Sequence, residues 1–279
     1  MRIATIAAAL SGAALVLCCS PRDSGLVFEQ GPDGAWTATA ESMDSWAEAV
    51  AGADSAEAVR LLDYGYSIAD SLAAGEEEFR TLEVFALDVA DRFLSLNSPL
   101  YNERVYDMAL DREWRCENWN SWGRRGTDWR RHLLNLNRAG TRVSDFWLSS
   151  RGESPDTLLR QLLPGAPVTV LFIYGESCKA CDKLIREISR CKAFRKMAES
   201  GEAQFISLYT GEDWQEFVSK ASSLPGYWSN WSDREAVVKY NRAFDTRMIP
   251  SLYLIDSDGI VLLRGARTVK DCLSFYKKY

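Results

Sequence analysis

The chain has 279 residues, about twice the commonest domain size, so two domains are expected. Its composition is that of a globular protein, with 47% hydrophobic and 26% charged residues, and a formal net charge of -6 argues against a general nucleic-acid binder. There is one histidine, His132, which argues against a multi-histidine metal site and leaves little room for Cys–His or Ser–His catalysis.

The first nineteen residues bear on the compartment. Arg2 supplies a short positive start, and Ile3 to Leu17 is an unbroken run of apolar and small residues. Such a run is short for a bilayer span and fits the core of a signal peptide. It ends in Leu15-Val16-Leu17-Cys18-Cys19-Ser20, which resembles the lipobox of bacterial lipoproteins. Cys19, preceded by the small Cys18, is the expected lipidation site. Cys18, which follows the bulky Leu17, is the alternative, and an ordinary cleaved signal peptide is the other reading. In each case the mature chain is expected in the cell envelope, where disulfides persist. A lipid anchor would leave it facing the periplasm or associated with the outer membrane.

Residues 20–40 carry the Gly, Pro and Asp punctuation of a tether. A helical domain is expected over 41–140. Trp46, Val50 and Ala53 recur at helical spacing, as do Leu61, Tyr64, Ile68 and Leu72, and then Phe79, Leu82, Phe85, Val89 and Phe93. Ala73-Ala74-Gly75 separates two of these helices and Asn97-Ser98-Pro99 stops the third. A further helix is expected from about Asp128 to Leu136, closing at Arg138-Ala139-Gly140.

After Gly140 the period changes. Asp145 to Ser149 is short and strand-like, and Val168 to Tyr174 is a continuous β-branched and aromatic run, as expected of a strand buried on both faces. Cys181, Leu184, Ile185, Ile188 and Cys191 then share one helical face. A strand follows at Ala203 to Tyr209, then an insertion over about 211–240, then a strand at Ser251 to Ile255. Ser257-Asp258-Gly259 signals a hairpin into Ile260 to Leu263, and a last amphipathic helix begins near Val269. The expected class is α/β for residues 141–279, a central mixed sheet flanked by helices, preceded by an all-helical domain.

The chemistry is concentrated in Cys178-Lys179-Ala180-Cys181, where the buried strand ends and a helix begins. First-turn amides and the helix dipole stabilise negative charge, so a cysteine there is a better nucleophile at neutral pH. Ser177 is a suitable N-cap, Lys179 adds positive charge beside the thiolate, and Glu176 opposes it. The spacing puts Cys181 one turn along, placed to resolve a mixed disulfide formed at Cys178. A static disulfide and half of a zinc site are the competing readings, but zinc needs two more ligands and no second Cys-x-x-Cys or nearby histidine exists.

A second element supports redox chemistry. Ile249-Pro250 immediately precedes the strand Ser-Leu-Tyr-Leu-Ile, the position at which a strand tolerates proline. Together, Gly175-Glu-Ser-Cys-Lys-Ala-Cys181 and Met248-Ile-Pro-Ser-Leu-Tyr-Leu-Ile-Asp-Ser-Asp-Gly259 resemble the TlpA/ResA-like branch of the thioredoxin superfamily. The resemblance implies a thioredoxin-like fold and an envelope thiol–disulfide oxidoreductase. It implies a cis proline at Pro250, next to Ile249, that packs against Cys178 and Cys181 and shapes a substrate groove. Tyr174, Ser177 and Lys179 are the other groove candidates. It implies no cofactor beyond the redox-active disulfide, no metal, and partners that are protein thiols and disulfides together with a redox donor or acceptor. Two departures stand out. Ser177 occupies the place where family members usually have tryptophan, and Phe172 replaces the buried acid that thioredoxins carry six residues before the first cysteine. In the helical half, Phe93-Leu-Ser-Leu-Asn-Ser-Pro-Leu-Tyr-Asn-Glu103 and Asn137-Arg-Ala-Gly-Thr-Arg-Val-Ser-Asp-Phe146 are similar to a domain of unknown function that precedes thioredoxin-like domains in envelope lipoproteins.

Three cysteines remain. Cys191 is expected to be a buried small side chain on the active-site helix; disulfides of Cys191 with Cys272, or involving Cys116, are also conceivable. Trp114, Trp119, Trp122 and Trp129 lie among Arg112, Arg115, Arg124, Arg125, Arg130 and Arg131. This pattern fits interdomain packing or a partner surface better than nucleic acid. Trp214, Tyr227, Trp228 and Trp231 in the insertion are read as packing of an inserted helix, with a substrate-selecting rim as the sharper alternative. A function from a different class is a lipoprotein binding module in which Cys178–Cys181 is a permanent staple.

Overall fold

The computed structural model describes residues 14–16 (backbone only), 25–76, 80–95, 98–150, 155–240 and 243–279. Cys18 and Cys19, Phe79 and Asn97 lie outside the described residues. The chain divides into two compact units, Met1–Leu134 and Asn135–Tyr279, where the sequence suggested a boundary near 140.

Among the described residues the first unit is built on five helices. A short strand β1 (Ala14–Val16) pairs antiparallel with β2 (Val27–Gln30), which pairs antiparallel with β3 (Trp36–Ala38). The helices are α1 (Ala40–Gly52), α2 (Ser55–Leu72), α3 (Arg80–Phe93), α4 (Glu103–Arg115) and α5 (Ser121–Asn135). Residues 27–38 therefore fold as a hairpin, not as part of a tether. Leu26 and Phe28 are fully buried in the unit's core, with the Phe28 and Phe85 rings 6.0 Å apart, and the Trp36 N–H donates to Thr81 Oγ1 at 2.9 Å. Gly31, Pro32, Asp33 and Gly34, part of what suggested a linker, make the turn between β2 and β3, while residues 20–24 lie outside the described residues.

Helix α4 was not evident in the sequence, and α5 begins earlier than its pattern suggested. Asn102 caps α4, accepting from the Arg104 and Val105 amides at 3.1 and 3.2 Å. Within α5, Gly123 lies against the Trp119 ring, which leaves no room for a larger side chain. Within the tryptophan- and arginine-rich segment, Trp119 is core and donates to Thr127 Oγ1 at 2.9 Å, while Glu113 is buried and paired with Arg130. Trp122 and Trp129 are exposed, and the Arg125 guanidinium lies 4.2 Å over the Trp122 ring.

The second unit is a seven-stranded mixed sheet flanked by helices. Its strands are β4 (Trp147–Ser149), β5 (Thr157–Leu158), β6 (Val168–Tyr174), β7 (Ala203–Tyr209), β8 (Trp228–Asp233), β9 (Ser251–Asp256) and β10 (Val261–Ala266), in the order β10-β9-β6-β7-β8-β4-β5. The β6–β7 and β7–β8 pairs are parallel and the others antiparallel. The helices are α6 (Leu159–Leu162), α7 (Lys179–Arg190), α8 (Lys192–Glu199), α9 (Trp214–Ser222) and α10 (Val269–Tyr276). Every residue of β6 is buried. Val168, Val170, Phe172 and Tyr174 face one core with Cys181, Leu184, Ile188, Phe217 and Cys272, while Leu171 and Ile173 face a second with Phe146, Leu148, Phe244 and Tyr253.

The segment 211–240 corrects the expectation of an inserted helix. It holds α9, but it also supplies β8, which joins the sheet beside β7 with Phe205 opposite Trp228 and Tyr209 opposite Ser232. Trp228 and Trp231 are buried because they stand on the two faces of that strand. Among the described residues no helix is long and apolar enough to cross a membrane.

Truncating Phe28 to alanine removes a fully buried ring and is expected to cost about 3–5 kcal/mol. Urea unfolding of the variant should show a lower midpoint for the first unit; an unchanged midpoint would mean that residues 25–38 act as a tether after all.

Candidate active site

Strand β6 ends at Tyr174, and after three intervening residues Cys178 leads into α7. Cys178 is itself the N-cap: its sulfur accepts the Cys181 amide at 3.1 Å. The sequence assigned that position to Ser177, which instead takes a left-handed backbone (φ 51°). That conformation is uncommon for a residue with a side chain, and the Ser177 N–H donates to both carboxylate oxygens of Glu216, at 2.9 and 3.1 Å.

Cys178 and Cys181 form a disulfide with their Cα atoms 5.2 Å apart. The two sulfurs have different surroundings. Cys178 is half-exposed, while Cys181 is fully buried and its sulfur accepts the Gly175 N–H at 3.5 Å. Ile249 and Pro250 lie at the start of β9, whose Ser251 pairs with Ile173 of β6. That register brings the Ile249 side chain to the Gly175 turn, 3.5 Å from where a Cβ on that glycine would sit. The Ile249–Pro250 peptide is cis. Lys179 is exposed on the first turn of α7. Tyr174 is not a groove residue: it is wholly buried, stacked on Phe172 at 5.0 Å and close to Tyr209 at 5.4 Å. It points into the core because, in a strand, neighbouring side chains alternate faces and Tyr174 shares the face of Phe172.

A group of ions beside the motif was not found from the sequence. Lys220 of α9 is buried, and its ammonium donates to the Gly175 carbonyl at 3.1 Å. It also pairs with Glu216 at 2.9 Å and Asp182 at 3.3 Å. Asp213 caps α9 by accepting the Gln215 and Glu216 amides, and Glu176 accepts the Glu212 N–H at 3.0 Å. Gly211 is needed for this close approach, since a Cβ there would collide with the Tyr209 hydroxyl and with Glu176 Cβ at 2.7 Å. One signal was available. The spacing of Phe217, Lys220, Ala221 and Leu224 puts a lysine on the apolar face of an amphipathic helix.

Among the described residues the remaining cysteines, Cys116, Cys191 and Cys272, are free thiols. Cys191 is half-exposed, not buried, because it lies at the junction of α7 and α8, where its sulfur accepts the Phe194 amide at 3.4 Å. Burial pushes Cys116 up to about 12, helped by Asp70 and Glu113, and pushes Cys272 up to about 12, helped by Cys191 and Asp271. Among the described residues no cluster of three or more His, Cys, Asp or Glu is placed to hold a metal ion.

The fold has solved counterparts. A thioredoxin-like protein from Bacteroides caccae matches with a TM-score of 0.71 at 19% identity, covering 86% of this chain and 84% of that one. The C-terminal domain of an uncharacterized protein from Bacteroides fragilis is 28% identical, with a TM-score of 0.46, covering 50% of this chain and 96% of that one. The thioredoxin domain of a thiol-disulfide oxidoreductase from Bacteroides vulgatus is 15% identical, with a TM-score of 0.39, covering 50% and 97%. No family model and no curated protein matches the chain.

In the folded protein near neutral pH, iodoacetamide is expected to spare Cys116 and Cys272 while it modifies Cys191, since buried thiols with raised pKa present little thiolate. Peptide mass mapping before and after denaturation tests this. Modification of Cys116 at the rate of Cys191 would contradict the packing around α2 and α4.

Proposed function

We propose that this chain, which has the thioredoxin-like fold, is a thiol–disulfide oxidoreductase acting on other proteins through Cys178 and Cys181. The observation that carries the reading is the asymmetry of the pair. Cys178 is half-exposed at a helix N-terminus, and Cys181 is buried behind it. Helix N-termini stabilise thiolates, so Cys178 suits the attacking role and Cys181 the resolving one.

In the reducing direction, the Cys178 thiolate attacks one sulfur of a substrate disulfide. The substrate S–S bond breaks, and its second sulfur leaves as a thiolate that takes a proton from water. Cys181, once deprotonated, attacks Cys178 Sγ, closes the Cys178–Cys181 bond and releases the other substrate sulfur. Two electrons pass to the substrate, and the protein ends oxidised. The reverse sequence oxidises a substrate dithiol. Ile249, whose side chain meets the Gly175 turn, and the cis Pro250 that follows it are the residues assigned to the substrate groove. Export, with Cys19 as the lipid attachment point, would place this chemistry in the cell envelope.

The reduction potential of the pair, measured on the chain from Ser20 onward in a glutathione or dithiothreitol series with mass-spectrometric trapping, tests the reading. A value between about -270 and -180 mV, the range from thioredoxin to disulfide isomerase, is expected. Cys178→Ser should abolish exchange, whereas Cys181→Ser should accumulate mixed disulfides with substrate. A bond that resists reduction until the chain unfolds, with a potential below about -300 mV, would overturn the reading in favour of a binding scaffold with a structural staple.

A further inference from the structure

Lysines are rarely buried unless paired, and Lys220 is only 8% exposed. The packing of α9 does not call for a cation there, since Phe217 and Leu224 cover the core with apolar side chains. The ammonium instead serves the turn that carries the cysteines. It holds the Gly175 carbonyl and Glu216, and Glu216 in turn holds the Ser177 N–H. Two of the three residues between β6 and Cys178 are thereby fixed from α9. Its third partner, Asp182, follows Cys181 directly on α7.

The charges around the motif are mostly negative. Asp182 lies on α7, Glu176 on the turn, Glu212 on the following loop, and Asp213 and Glu216 at the start of α9. Against them stand Lys179, exposed on α7, Lys239, which pairs with Glu212, and Lys220. The field of these carboxylates is felt at the neighbouring Tyr209 hydroxyl. Burial raises its pKa first, and Glu216, Glu176 and Asp213 raise it further. Two of these carboxylates adjoin Cys178 through the turn: Glu216 holds the N–H of the preceding residue, Ser177, and Glu176 is two residues before Cys178. Lys220, Glu216 and Asp182 together carry one net negative charge, and without the lysine they carry two.

We propose that Lys220 is a positioning residue that sets the acidity of Cys178: from α9 it offsets Glu216 and Asp182 and clamps the Gly175 to Ser177 turn, keeping the attacking sulfur a thiolate at neutral pH. The proposal deepens the oxidoreductase reading and rests on it for its biological meaning. Its test does not. In the full chain carrying Cys181→Ser, Cys178 is a free thiol whatever its native role. Its alkylation by iodoacetamide can then be followed across pH at the level of the Cys178 peptide.

Lys220→Met is expected to raise the apparent pKa of Cys178 by about one unit, the scale of a nearby charge on a thiol. Adding Glu216→Gln restores the original net charge and keeps an acceptor for the Ser177 N–H, so the double variant should return to the parent value. An unchanged pKa in Lys220→Met, whatever happens to its melting temperature, would reduce Lys220 to a structural ion pair and overturn the proposal. Should Lys220→Met fail to fold, Glu216→Gln alone decides. Removing one carboxylate while the lysine stays must lower the apparent pKa, and no change overturns the proposal. A wild-type disulfide that cannot be reduced in the folded state would overturn the oxidoreductase reading without touching this result.

Discussion

Burial of β6 on both faces is the constraint from which the site is assembled. Val168, Val170, Phe172 and Tyr174 pack into one core and Leu171 and Ile173 into another, so the C-terminal end of the strand cannot shift without disturbing both. The turn that follows is short, and its backbone is anchored to the buried Cys181 and Lys220 and to the half-buried Glu216. The Gly175 N–H reaches the Cys181 sulfur, the Gly175 carbonyl reaches Lys220, and the Ser177 N–H reaches Glu216. A cysteine held this way is positioned by rigid elements, as a reacting group must be. Only Cys178 of the pair retains access to solvent.

The floor and the side of the site differ in character. The buried Cys181 shares its core with the stacked rings of Phe172 and Tyr174, and Phe172 occupies the place of the acid that thioredoxins carry there. The ionisable groups stand to one side, on α9 and on the first turn of α7. Desolvation on the apolar side disfavours a thiolate, and the helix N-terminus favours one. The balance between them falls to the lateral ions, where a single buried ammonium faces two carboxylates. In a medium of reduced dielectric one charge more or less changes a neighbouring thiol appreciably.

The first unit solves a different problem. Its helices carry polar and arginine-rich stretches, and stability comes from a few well-filled positions. Trp46, fully buried, donates from its indole nitrogen to the Leu61 carbonyl at 3.2 Å, and Phe85 meets the rings of Phe28, Trp46 and Tyr66. Between α4 and α5, buried Glu113 is matched by Arg130 and Thr127. Leaving either ion unpaired there would be costly.

What the sequence by itself determined was local. The unbroken β-branched run of β6, the helical face beginning at Cys181, the Ser257 to Gly259 hairpin and the proline before β9 are each written within a few residues, because side-chain period and turn chemistry act over that distance. The Cys-x-x-Cys motif and its place at a strand-to-helix turn followed directly. The tertiary structure decided what depends on distant partners. The 27–38 hairpin looked like a linker because large buried side chains are few there, Phe28 within it and Leu26 just before it, and their core is supplied by helices further along the chain. Strand β8 was read as part of an inserted helix because its strand character comes from pairing with β7. Lys220 lies 45 residues from the carbonyl it holds. No local pattern specifies that contact; it exists because the sheet brings α9 against the end of β6, where a buried charge is stable only among partners.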